Sequence, residues 1–132
     1  MKEKSINIYS TLFILFLITP VSAIASDSNV RIDEIRQDMK QTLSQLEENI
    51  GTAECQTTAQ CKSVAIGQKA CGGPRHYLAY STTESNESNI NMLAKKHRNL
   101  NKLLNKLTGA MSDCMMVSPP ILLCENNKCV AK

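Results

Sequence analysis

The chain has 132 residues, 15 Lys or Arg against 12 Asp or Glu for a net charge of +3, and six cysteines. Its first 25 residues read as an export signal, and the 107 residues that remain after its removal make a single domain, 26–132. Lys2, Lys4 and Glu3 leave with the signal, and the resulting +2 is too small to draw the whole molecule onto DNA or anionic lipid.

Lys2 and Lys4 give the positive start of a secretory signal, and Leu12 to Ile18 is an unbroken apolar run. Pro20 then precedes the small-residue site Ala23-Ile24-Ala25, so cleavage is expected near Ala25. Seven uninterrupted apolar residues fall far short of the roughly 20 that span a bilayer. No cysteine lies near the cut to carry a lipid, so the product is expected in the periplasm or outside the cell, with no membrane anchor. Tyr9, Phe13 and Phe16 leave too, and Tyr77 and Tyr80 are then the only aromatics, too few to stack nucleic-acid bases.

Ile32, Ile35, Met39, Leu43, Leu46 and Ile50 are spaced 3, 4, 4, 3 and 4, which predicts an amphipathic helix of about five turns. Asp27, Ser28 or Asn29 is the expected cap and Gly51 the expected stop. Ile90, Leu93, His97, Leu100, Leu104, Leu107 and Met111 repeat the spacing and predict a second helix, capped within Ser85 to Ser88 and stopped at Gly109. Residues 27–54 carry seven acids and three bases, while residues 95–106 carry five bases and no acid. Two narrow apolar stripes flanked by opposite charge are expected to pack as an antiparallel pair.

Between and after the helices the pattern turns extended. Lys62 to Ile66 and His76 to Ser81 read as short strands, the extended-looking Met115 to Val117 and Ile121 to Cys124 flank the stiff Ser118-Pro119-Pro120 corner, and Leu122 to Val130 reads as a hairpin turning at Asn126-Asn127. The expected fold class is α+β: an antiparallel pair of amphipathic helices with a small, disulfide-stapled antiparallel sheet.

Cys55, Cys61, Cys71, Cys114, Cys124 and Cys129 are separated by 5, 9, 42, 9 and 4 residues. An even count in a small exported chain predicts three disulfides, because a core this small needs cross-links. Six cysteines allow 15 pairings. Cys124 with Cys129 across the hairpin is the first expectation, and Cys114 is expected to reach back to the Cys55 to Cys71 segment. No C-x2-C pair is present and both histidines lie outside the cysteine cluster, so no metal is expected.

The stretch from Ala70 to Ser81 is the least generic. Gly72-Gly73-Pro74 specifies a tight turn entering a strand. With Cys61, Cys71, Tyr77-Leu78, Tyr80-Ser81, Ser112-Asp113-Cys114, Cys124 and Cys129, it resembles a family of small exported bacterial cysteine-rich proteins. That family shares a C-G-G-P-x-x-Y-L-x-Y-S segment, an S-D-C and two C-terminal cysteines. The resemblance covers residues 55 to 130, implies an exported, disulfide-bonded single domain, and transfers no catalytic residue.

Gly72, Gly73, Pro74, Arg75, His76 and Tyr77 form the candidate binding loop, with Arg75 placed to enter the specificity pocket of a trypsin-like protease. Lys95, Lys96, Arg98, Lys102 and Lys106 form a candidate basic face, balanced in the same chain by the acidic helix. His76, Ser81 and Asp113 supply the residue types of a hydrolase triad, yet no nucleophile elbow accompanies them. With no catalytic constellation and no cofactor motif, the expected function is protein binding, as an inhibitor or an immunity-like factor. The alternative is a small secreted hydrolase or thiol enzyme of unfamiliar type. Another protein is the expected partner, and nucleic acid is not.

Overall fold

A computed structural model describes residues 22–132. The expected export signal falls outside the described residues as far as residue 21. Helix α1 spans Ser22–Ile50 and helix α2 spans Glu87–Thr108. Strand β1 (Cys61–Ile66) pairs antiparallel with β2 (His76–Ser81), and β3 (Leu122–Glu125) with β4 (Lys128–Ala131).

In α1 the buried positions are Ile35, Thr42, Leu46 and Ile50, with Met39 and Leu43 half-buried beside them. Spacings of 7, 4 and 4 keep these residues on one stripe. The helix ends as expected, with Gly51 at φ +61°. Its start differs, because Asp27, Ser28 and Asn29 lie within the helix instead of capping it. The preceding Ala-Ile-Ala-Ser run contains no helix breaker, so the helix continues upstream.

Asn86 caps α2 by accepting the Asn89 N–H at 3.1 Å, and Gly109 closes it at φ +61°. The buried row is Ile90, Ala94, His97 and Asn101. Leu107 and Met111, expected to extend the stripe, are exposed instead. The reason lies in Asn101 and Asn105. Near this end α2 turns those amides toward the backbone of Gln68, and the apolar residues that follow rotate outward.

The core combines Leu46 and Ile50 of α1, Ile90 and Ala94 of α2, Val64 and Ile66 of β1, and Tyr80 of β2. Cys55, Cys61 and Cys129 fill the end where the β3–β4 hairpin packs. Asn126 and Asn127 both take positive φ, at 50° and 61°, which gives the tight turn expected of the hairpin. The strands form two ribbons instead of one sheet.

Met115 to Val117, extended-looking in sequence, carries no regular structure. The Lys69 Nζ captures the Met115 carbonyl at 2.7 Å, and Pro119 and Pro120 remove the backbone donors that a ladder would need.

All six cysteines are bridged, as Cys55–Cys124, Cys61–Cys129 and Cys71–Cys114. The expected Cys124–Cys129 link across the hairpin is therefore corrected. These two residues are direct cross-strand partners and share a face of the hairpin, and there each meets a cysteine of the 55–61 segment. Cys114 does reach back, to Cys71.

Candidate functional site

The Cys71 to Tyr77 loop is a built turn. Gly72 and Gly73 hold φ of +104° and +74°, a pair of conformations that side chains with a Cβ rarely adopt. Lys69 N–H donates to the Gly73 carbonyl at 3.0 Å, Gly72 N–H to Lys69 at 3.0 Å, and Arg75 N–H to Ile66 at 2.9 Å. The last of these bonds hands the chain to β2, where His76 pairs with Ile66 and Tyr77 with Ala65.

Arg75 is exposed, but its Nε donates to Oδ1 of the buried Asn101 at 3.1 Å. The same Oδ1 accepts the Gln68 N–H at 2.8 Å. The Nε thus braces the turn against α2 while the side chain stays exposed.

A second segment lies against this turn. Residues 110–121 cross it through the Cys71–Cys114 bridge and through Lys69, whose ammonium reaches Asp113 Oδ1 at 2.9 Å. That ammonium holds the Asp113 carboxyl below the usual carboxylate range, and the Met115 N–H adds to the effect. Ser112 Oγ accepts the Cys71 N–H at 3.3 Å. A cavity of about 470 Å³ opens between Gly72, Gly73, Pro74 and Met115 to Val117. Along its length the segment exposes large apolar side chains, Met111 and Met116 at 94%, Ile121 at 71% and Met115 at 68%, of which Met115 and Met116 line the cavity. Sequence reasoning missed this surface, because Met111 was assigned to a buried stripe and Met115 and Met116 to an extended stretch.

The basic face is exposed at Lys95, Lys96, Arg98, Lys102 and Lys106. Among the described residues, no ion pair joins these side chains to the acids of α1. The ion pairs present are Arg36–Asp33, Lys62–Glu87, Lys69–Asp113 and Lys132–Glu125. Lys62 holds the Glu87 carboxyl down, and Glu87 in turn raises the Lys62 ammonium. Burial pushes the Tyr80 phenol up, with Glu87 adding to it.

The triad residue types do not converge. His76 and Ser81 stand at opposite ends of β2, about 17 Å apart at 3.4 Å per residue. Ser81 is fully buried against the Thr83 hydroxyl at 2.8 Å, and Asp113 is bound to Lys69. His97 is buried on the inner row of α2 with its Nδ1 unpartnered, and burial lowers its pKa. The sulfurs of Cys55, Cys61 and Cys129 lie within 4.8 Å of one another, close enough to surround a metal ion, but each is already oxidised in a bridge. Comparison of the chain with protein-family models, with curated proteins and with solved structures finds no match.

Proposed function

We propose that residues 26–132 act by binding another protein, as an exported factor of the inhibitor or immunity type, through the 111–121 segment. Three disulfides fit an oxidising compartment, and no described helix is long and apolar enough to cross a membrane. The observation that carries the reading is the apolar surface itself. Met111, Met115, Met116 and Ile121 are held out on a segment cross-linked to a rigid turn.

Leaving such side chains in water is unfavourable, and contiguous exposed apolar residues mark interaction sites. Methionine adapts its shape to a partner groove. Cross-linking lowers the ordering cost of binding. Lys69, which binds the Met115 carbonyl, is itself paired with Asp113. The occupant it suits is a protein with an apolar groove.

The test compares the exported protein with a Met115→Asp/Met116→Asp variant, both checked for native circular dichroism. A protein captured from an extract of the producing cell is purified and titrated against each. At least tenfold weaker binding to the variant is expected. Equal binding to both would overturn the reading, as would binding that collapses with salt and follows Lys95, Lys96 and Arg98 instead.

A further inference from the structure

The three disulfides are not equivalent in their surroundings. Cys55, Cys61 and Cys129 are buried and Cys124 is half-buried, whereas Cys71 and Cys114 are both exposed. A thiolate attacks along the sulfur–sulfur axis, so access separates this bridge from the other two.

Its environment favours opening as well. Ser112 Oγ donates to Cys71 Sγ at 3.2 Å, placing a hydroxyl donor on the sulfur where charge would develop. Lys69 fixes the Ser112 to Met115 stretch by binding Asp113 Oδ1 and the Met115 carbonyl. Cys114 sits at φ +53°, a left-handed conformation uncommon for a residue with a Cβ. The neighbouring glycines are uncrowded. A Cβ added at Gly73 would meet nothing within 4 Å, and at Gly72 only the Gln68 side chain, at 3.9 Å. The 470 Å³ cavity lies against both sulfur-bearing residues.

We infer that Cys71–Cys114 is a thiol–disulfide exchange site whose substrate is a dithiol, and that the other two bridges are structural. A thiolate of the dithiol attacks Cys114 Sγ and forms a mixed disulfide. The Cys71–Cys114 bond breaks, and its electron pair leaves on Cys71 Sγ, where the Ser112 hydroxyl stabilises it. The second thiolate of the dithiol then attacks its own sulfur in the mixed disulfide, closes a disulfide, and releases Cys114 as a thiolate. Two protons complete both thiols. The dithiol loses two electrons and the bridge gains them. Ser112 is a positioning residue in this scheme. Opening removes the covalent link between the 110–121 segment and the turn and leaves the polar links of Lys69 and Ser112, so the exchange also loosens the apolar surface. The chemistry itself does not require that surface to bind a partner.

The test titrates the exported, fully oxidised protein with dithiothreitol at pH 7.5, traps thiols with N-ethylmaleimide, and maps the labelled cysteines by peptide mass. Cys71 and Cys114 are expected to open together at a dithiothreitol concentration at least tenfold below that needed for the other four, with the helical signal retained. Simultaneous opening of all six, or earlier opening of a buried bridge, would overturn the inference. Ser112→Ala provides the second readout. In the partly reduced protein it should raise the Cys71 thiol pKa, followed by thiolate absorbance, and slow exchange at pH 7 at least threefold. An unchanged titration and rate would remove Ser112 from its assigned role.

Discussion

His97 makes stability depend on pH near neutrality. Its ring is buried on the inner row of α2, Nδ1 has no partner, and burial lowers its pKa, with the neighbouring His76 and Arg75 adding to the effect. The unfolded chain therefore takes up a proton near pH 6.5 that the folded chain refuses. Stability from this group is fully present above pH 6.5 and is lost as pH falls toward the depressed folded value. If the folded ring stays neutral, the loss by pH 5.5 is about 1.4 kcal/mol, from a limiting slope of about 1.4 kcal/mol per pH unit. The paired carboxylates of Glu87 and Asp113 are held low and titrate below this window. Urea unfolding at half-unit steps from pH 5.5 to 7.5 reads the slope directly. His97→Gln cannot take up the proton and should flatten the curve. Parallel curves for the two proteins, or stability that rises on acidification, would refute the argument.

Thr42 buries a hydroxyl with no partner on the helix interface, so Thr42→Val keeps the shape, removes the orphan, and should stabilise by about 1 kcal/mol in thermal unfolding. Asn101→Ala strips the shared acceptor of the Gln68 N–H and Arg75 Nε, and should cost about 2–3 kcal/mol while increasing amide exchange at Gln68. Removing Cys61–Cys129 as a double alanine variant opens a path that the remaining Cys55–Cys124 bridge already shortens from 68 residues, and should cost about 3 kcal/mol by the chain-entropy relation, measured by denaturant unfolding.

Both helices were legible because burial follows their period. Leu46, Ile50, Ile90 and His97 lie inside as their spacing requires, and Gly51 and Gly109 stop the helices where only a left-handed residue fits easily. The hairpin was legible because Asn126-Asn127 carries its turn in the residues themselves. The pairing of its cysteines was not. Cys124 and Cys129 face each other in register, and only the tertiary approach of Cys55 and Cys61 decides that neither bonds to the other. The apolar surface was hidden for a related reason. Met115 and Met116 have the local pattern of a strand, and the Lys69 ammonium, 46 residues away in sequence, takes the backbone carbonyl that a strand would have paired. The brace from Arg75 to Asn101 was not legible, because Asn101 looks in sequence like one more polar residue on a helix.

The nesting of the bridges bears on which of them can open without unfolding the protein. Residues 71 and 114 lie inside both the 55–124 and 61–129 loops, so the two outer bridges already bring their neighbourhoods together. Through those bridges the path from Cys71 to Cys114 is about 25 residues, against a direct separation of 43. Combining the two routes reduces the entropic worth of the inner bridge to about 3 kcal/mol, from about 4 kcal/mol for an isolated loop of that length. Asn101, Asn105 and Lys69 also hold the same turn without any sulfur. Loss of Cys71–Cys114 thus falls on the exposed segment more than on the core. The outer bridges, by contrast, fasten the hairpin to β1 and to the segment before it, and Cys55, Cys61 and Cys129 are themselves core.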